Sequence, residues 1–254
     1  MARNSTIKKT VIFRDSLEAV ENVYDLEYLG AGHDGLVFKL GDKALKLLKY
    51  DIKLRKDKGL MTFDKALYFK SNLDLKRVVQ PRDILLDEDG IYVGYVMDYL
   101  QDLTKDSNSP TYRTPGDFLC GDLVSSINDL EIDFQKLSSK HVVANDINKG
   151  SYIFASDYLH MCDMDKFKRI SESAATNDIN ISKLNFFIAK LLFFEMLKGE
   201  NSEIEENREE LRTWVKKSTN SVSFLDDIRK EIDRNYSMPI SEFANEKKKI
   251  LIRQ

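Results

Sequence analysis

The chain has 254 residues, 42% of them hydrophobic, with 39 Lys and Arg against 42 Asp and Glu. This is enough for one large domain or two lobes with their own cores, and a formal charge of −3 gives no general attraction to nucleic acid. Cys120 and Cys162 lack metal-ligand spacing and are too few for a disulfide scaffold, residues 1–13 contain no apolar stretch of signal-peptide length, and Leu184 to Leu197, the most apolar run, falls short of a membrane span; the expected setting is the cytoplasm, with no membrane partner.

Residues 1–25 read as a polar lead-in with a short amphipathic piece at Ser16 to Val23. From 26 to 100, short strands alternate with one helix, as in a small β-rich lobe. Gly30-Ala31-Gly32-His33-Asp34-Gly35-Leu36-Val37 fits G-x-G-x-x-G-x-V, and Ala44-Leu45-Lys46 follows after a strand and the tight turn Gly41-Asp42. Glycines serve where backbone N–H groups lie over phosphates without a Cβ in the way, and a lysine on the adjacent strand can pair with the same phosphates. A dinucleotide-binding motif would instead open a helix. The same letters also suit an ordinary glycine-rich hairpin beside an exposed lysine.

Thr62 to Lys70 reads as a helix whose only acid is Asp64. Arg77 to Gln80, Ile84 to Leu86 and Ile91 to Met97 read as strands, the last two joined by Asp87-Glu88-Asp89-Gly90. The basic clusters at Lys46 to Lys58 and at Lys247-Lys248-Lys249 read as solvated faces. Beyond residue 101 helices dominate: Gln101 to Gly116 is a polar loop, Phe118 to Lys140 has helical periodicity, and Leu184 to Leu197 reads as a central buried helix. Glu203 to Lys217 and Ser223 to Arg234 are amphipathic helices.

Between those helices, Val142-Val143-Ala144-Asn145-Asp146 is followed by a polar turn, by Ser151-Tyr152-Ile153-Phe154, by Tyr158-Leu159-His160-Met161, and by Cys162-Asp163-Met164-Asp165. One carboxylate at such a distance from another can accept the proton of an acceptor hydroxyl while the second holds a cation that neutralises phosphates.

The glycine loop, the following lysine and this pair of aspartates together resemble the protein-kinase superfamily over roughly residues 26 to 200. The resemblance implies an α+β, two-lobed kinase-like fold: a lead-in at 1–25, a small antiparallel nucleotide-binding lobe at 26–100 and a mainly helical lobe at 101–254. It places Gly30, Gly32, Gly35 and Val37 over ATP, Lys46 on its phosphates, Met97 as gatekeeper, and the backbone of Asp98 and Leu100 at the adenine. Asp146 matches the catalytic base, and Asp163 with Ser151 matches the ligands of Mg²⁺ or Mn²⁺. The implied activity is transfer of the γ-phosphoryl group of ATP to a hydroxyl of a protein or a small molecule.

The chain departs from the family pattern at several places. Ala144-Asn145 replace the usual His-Arg before the catalytic Asp, so regulation through a phosphorylated activation loop is not expected. Ser151 stands where an Asn binds the second metal, and Asn148 would compensate only with the loop rearranged. Asp165 replaces the glycine after Asp163, either as a further metal ligand or, as we favour, as a solvated turn residue. Asp64 is the only acid placed to substitute for the helix glutamate that pairs with Lys46, and it serves equally as a helix-start charge. Asn185 occupies the position of a usual Asp on the buried helix, and no A-P-E platform for a peptide follows Asp165. A second reading is therefore a pseudokinase, a nucleotide-binding or scaffold module acting through a partner. The resemblance implies that Cys162 lines the back of the nucleotide pocket, while the commoner fate of a free cysteine is that of a small buried hydrophobe.

Overall fold

A computed structural model describes residues 9–49, 52–101, 121–147, 151–155, 158–171 and 176–193. The protein is α+β and divides into two compact units. Described residues within 1–74, 79–101 and 164–166 form the first, and those within 75–78, 102–163 and 167–254 the second. Asn148, Cys120, most of the 101–116 loop, the end of the 184–197 run and everything beyond it lie outside the described residues.

The first unit is built on a seven-stranded antiparallel sheet. Its strands are β1 (Val11–Phe13), β2 (Ala19–Val20), β3 (Glu27–Ala31), β4 (Gly35–Leu40), β5 (Lys43–Leu48), β6 (Asp83–Leu86) and β7 (Tyr92–Asp98), in the order β2-β1-β6-β7-β5-β4-β3. Two helices accompany it, α1 (Ile52–Asp57) and α2 (Phe63–Asn72). The turn between β4 and β5 is the expected one, with Gly41 at φ 61°. Between β6 and β7, the Asp87 carboxylate accepts from the N–H groups of Asp89 and Ile91 at 3.1 and 2.8 Å, and Gly90 takes φ 75°. Thr62 caps α2 by accepting from the N–H of Lys65, and Asp64 lies in the first turn, where the helix dipole favours an acid.

Alternation sorts the strands into two faces. Phe38, Leu45, Leu47 and Val96 join Val11, Phe13, Val23 and Leu85 in one buried cluster. The stretch expected as a polar lead-in therefore contributes core residues and two strands, because Val11 and Phe13 alternate inward across a three-residue strand too short to announce itself in the sequence. The basic run after Lys46 is also not simply a solvated face. It contains α1, and Lys46 and Arg55 are buried, with Arg55 Nη2 donating to the carbonyl of Tyr92 at 3.1 Å.

The second unit contains α3 (Gly121–Ser139), α4 (Thr176–Phe193), and two small antiparallel pairs, β8 (Val142–Val143) with β11 (Lys168–Arg169) and β9 (Tyr152–Ala155) with β10 (Tyr158–Met161). Ile127, Leu130, Phe134 and Leu137 form a buried stripe on α3 at helical spacing, and Ile181, Leu184 and Phe187 are buried along α4. The helix expected from Leu184 begins at Thr176, two turns earlier, in a polar stretch that the apolar run does not include.

Arg77 to Gln80 is not a strand. Val78 makes one isolated bridge with Met161, while the buried Asp133 carboxylate on α3 accepts from the N–H groups of Lys76, Arg77 and Val78 at 2.9, 2.6 and 3.0 Å. A side chain has taken the donors that a neighbouring strand would otherwise satisfy. Among the described residues, no helix is long and apolar enough to cross a membrane.

Candidate functional site

In the first unit, strand register collects the expected nucleotide residues. Gly30 lies opposite Val37, Val37 opposite Lys46, and Lys46 opposite Tyr95, so four strands contribute one rung. Residues directly opposite one another share a face, and this rung lies on the face away from Phe38, Leu45 and Leu47. Ala44 and Met97 form the rung two residues along, on the same face. Asp98 ends β7 with its carboxylate held by Arg82 Nε and Nη2, both at 2.8 Å, and Leu100 follows two residues later, half-buried.

The three loop glycines have different reasons to be glycine. A Cβ on Gly35 would stand 2.5 Å from the carbonyl oxygen of Leu47, so packing alone forbids a side chain there. A Cβ on Gly30 or on Gly32 would meet nothing within 4 Å. Packing therefore does not demand glycine at those two positions, and open space lies beside both.

Lys46 reaches a partner absent from the sequence expectations. Its Nζ lies 2.6 Å from Asp165 Oδ2, and Tyr95 donates its hydroxyl to Asp165 Oδ1 at 2.9 Å. Asp165 is 1% exposed, so it is not a solvated turn residue. Lys65 Nζ on α2 also donates to the Asp165 carbonyl. Asp64, one residue away on that helix, is exposed and plays the part of a helix-start charge rather than that of partner to Lys46. Nearby, Tyr92 has a buried hydroxyl whose pKa is pushed up, first by burial and then by the charge of Asp165, with Arg55 opposing.

In the second unit, β9 and β10 bring the loop residues together. Tyr152 pairs with Met161, and beyond that pair Cys162 N donates to the Ser151 carbonyl at 2.7 Å, which sets Ser151 next to the start of the Asp163 segment. Ser151 is buried, and its hydroxyl makes a long 3.4 Å contact to the carbonyl of Asp146. Cys162 is half-buried. Asp146 and Asp163 are both exposed, with φ of 58° and 73°. Such left-handed backbone is uncommon outside glycine, tolerated best by Asn and Asp, and persists where surrounding bonds hold it.

For the stretch that leads into Asp146, side chains of α4 supply such bonds. Asn180 Oδ1 accepts from the N–H of Ala144 at 3.0 Å, while its Nδ2 donates to the Val142 carbonyl at 2.8 Å and to Ser138 Oγ at 2.9 Å. One turn on, Lys183 Nζ donates to Asn145 Oδ1, and burial holds the pKa of Lys183 below the usual lysine value. Asn185, which stands where an Asp is usual on the buried helix, is fully buried, and its amide has no hydrogen-bond partner among the described residues. The anchor is Asn180, five residues earlier. The signal was its place at i, i+3 with Lys183, but without the true start of α4 nothing distinguished it from other asparagines.

A separate polar group lies on β10. The guanidinium of Arg77 stacks 3.9 Å from the Tyr158 ring centroid, donates to Asp129 Oδ2 at 2.9 Å, and approaches His160 Nε2 at 3.4 Å. Burial and the Arg77 charge lower the pKa of His160 from the usual 6.5 to about 4, against the pull of Asp129. For Asp129, burial acts upward but is outweighed by the hydrogen bonds and charges of Lys76 and Arg77, leaving its pKa below the usual value.

No protein-family model matches this chain, and no curated protein matches it significantly.

Proposed function

We propose that this protein is an ATP-dependent kinase with the two-lobed fold of the protein-kinase superfamily, transferring the γ-phosphoryl group to a hydroxyl acceptor. The observation that carries the reading is the rung Gly30, Val37, Lys46, Tyr95, with the open space at Gly30 and Gly32 beside it. That arrangement suits backbone N–H groups laid along phosphates and a lysine ammonium paired with them. In the second unit, the exposed carboxylate of Asp146 takes the role of base for the acceptor hydroxyl, and Asp163 with Ser151 would hold Mg²⁺ or Mn²⁺. Nucleotide-bound Mg²⁺ is usually held by one or two carboxylates together with substrate phosphates, a modest demand that these residues fit. The metal's contribution would be to neutralise phosphate charge.

The assay is incubation with γ-labelled ATP and Mg²⁺ or Mn²⁺, followed by detection of label on the protein and on a panel of small hydroxyl compounds. Label transfer supports the enzyme. Nucleotide binding by calorimetry without any transfer supports the pseudokinase reading, which the burial of the Ser151 side chain against the loop favours. In the same calorimeter, Lys46→Ala is expected to weaken ATP by about 1.5–3 kcal/mol, the range for a hydrogen bond to a charged group. An unchanged affinity would remove Lys46 from the site.

A further inference from the structure

Lys46 is a long cation whose use depends on where its ammonium is held. Its carboxylate partner lies on neither α1 nor α2 but on the segment just after Asp163, at Asp165. Both oxygens of Asp165 are engaged, Oδ2 with Lys46 and Oδ1 with the Tyr95 hydroxyl, while the backbone carbonyl of the same residue receives Lys65 from α2. A buried ion pair is a poor device for stability alone, since well-packed apolar residues of similar size commonly do as well or better. Its position on the glycine-loop face gives it a different use. A cation bound at Asp165 would also stand against the Lys46 ammonium, which argues against a third metal ligand there.

We propose that Asp165 is the positioning residue that aims Lys46 at the nucleotide phosphates, and that Tyr95 and Lys65 in turn fix Asp165. The polarity is thereby reversed relative to the family resemblance: the helix supplies a cation, and the acid comes from the 163–165 segment. This proposal rests on the nucleotide-binding reading of the first unit, and it predicts that Asp64 has no part in nucleotide binding.

The test compares Mg·ATP with adenosine, which lacks phosphates, as calorimetric ligands of the full chain. Wild type is set beside Asp165→Asn, Tyr95→Phe, Asp64→Asn, Lys46→Met and the double variant Lys46→Met/Asp165→Asn. Asp165→Asn should weaken ATP about tenfold or more, and Tyr95→Phe about threefold, with adenosine unchanged in both. Asp64→Asn should bind both ligands as wild type does. The double variant should be no weaker toward ATP than Lys46→Met, since Asp165 acts through the lysine. Equal loss of ATP and adenosine, additive losses in the double variant, or wild-type ATP affinity in Asp165→Asn would each overturn the proposal. Should Asp165→Asn fail to fold, Tyr95→Phe decides: unchanged ATP affinity there also overturns it. Wild type that binds neither ligand defeats the nucleotide reading itself, an outcome distinct from a wild type that binds both while the variants keep the ATP-to-adenosine ratio.

Discussion

The first unit holds its candidate residues by strand register, with Gly30, Val37, Lys46 and Tyr95 occupying one rung because four antiparallel strands are paired that way. The second has the exposed residues Asp146 and Asp163 at left-handed backbone, and the first of these follows a stretch that pairs with β11 and is bonded by Asn180 and Lys183 of α4. A rung distributes its support over many backbone hydrogen bonds, so no one side chain decides it. The stretch before Asp146 has only a two-residue pairing with β11 and the side chains of Asn180 and Lys183 on α4, so a single side-chain change there should cost more than one beside the rung.

The largest expected difference concerns the exposed acids. Asp163→Asn removes the charge of an exposed carboxylate while keeping a residue that tolerates φ 73°, so on the kinase reading turnover should fall by about 10²-fold or more, on the scale of losing a group that stabilises transferring phosphate, while the melting temperature stays near wild type. A variant that melts early would show that Asp163 supports the fold. Next comes the anchor: Asn180→Ala strands the Ala144 N–H and the Val142 carbonyl in a buried site and should cost about 2–4 kcal/mol by denaturant unfolding, since each unsatisfied buried group costs about 1–3 kcal/mol. A loss under about 0.5 kcal/mol, the scale of an ordinary surface substitution, would mean that the loop is held by something other than α4.

The counterpart in the first unit is Gly32→Ala, in the loop that follows the β3 member of the rung. Because a Cβ there meets nothing, stability should stay within about 0.5 kcal/mol of wild type, yet ATP affinity should drop about tenfold through lost backbone approach to phosphate. Equal affinity for ATP would reduce the motif to a hairpin.

The smallest effect belongs to His160, which faces Arg77 and Asp129. Its folded pKa of about 4 lies below the usual 6.5, so the unfolded chain takes up the proton first. Stability attributable to the neutral ring is intact above pH 6.5 and is lost as pH falls from 6.5 toward 4. His160→Gln should flatten unfolding curves measured across that window, and an unchanged slope would show that the ring is not held neutral. Asp129, shifted downward, adds its own loss only in stronger acid, as pH falls through its folded value.

How much of this was legible in the sequence follows from the range of each interaction. The β4–β5 hairpin, the β6–β7 turn and the cap of α2 rest on neighbours a few residues apart, and Gly41, Gly90 with Asp87, and Thr62 mark them directly. Arg77 to Gln80 misled because its β-branched residues fit a strand, while Asp133, more than fifty residues away, claimed the backbone donors. The short β1 was missed since three residues carry too little alternation to separate them from a polar lead-in.

The sequence by itself determined the hairpins, the helical stripes and the order in which the glycines, Lys46 and the two loop aspartates occur, because local backbone preference and periodicity are written in adjacent residues. Only the tertiary structure decided that Asp165 rather than Asp64 meets Lys46, and that Asn180 rather than Asn185 holds the strand before Asp146. Each choice was between chemically equivalent side chains. What separated them was burial and a partner more than thirty residues distant, and neither leaves a mark on the residues alongside.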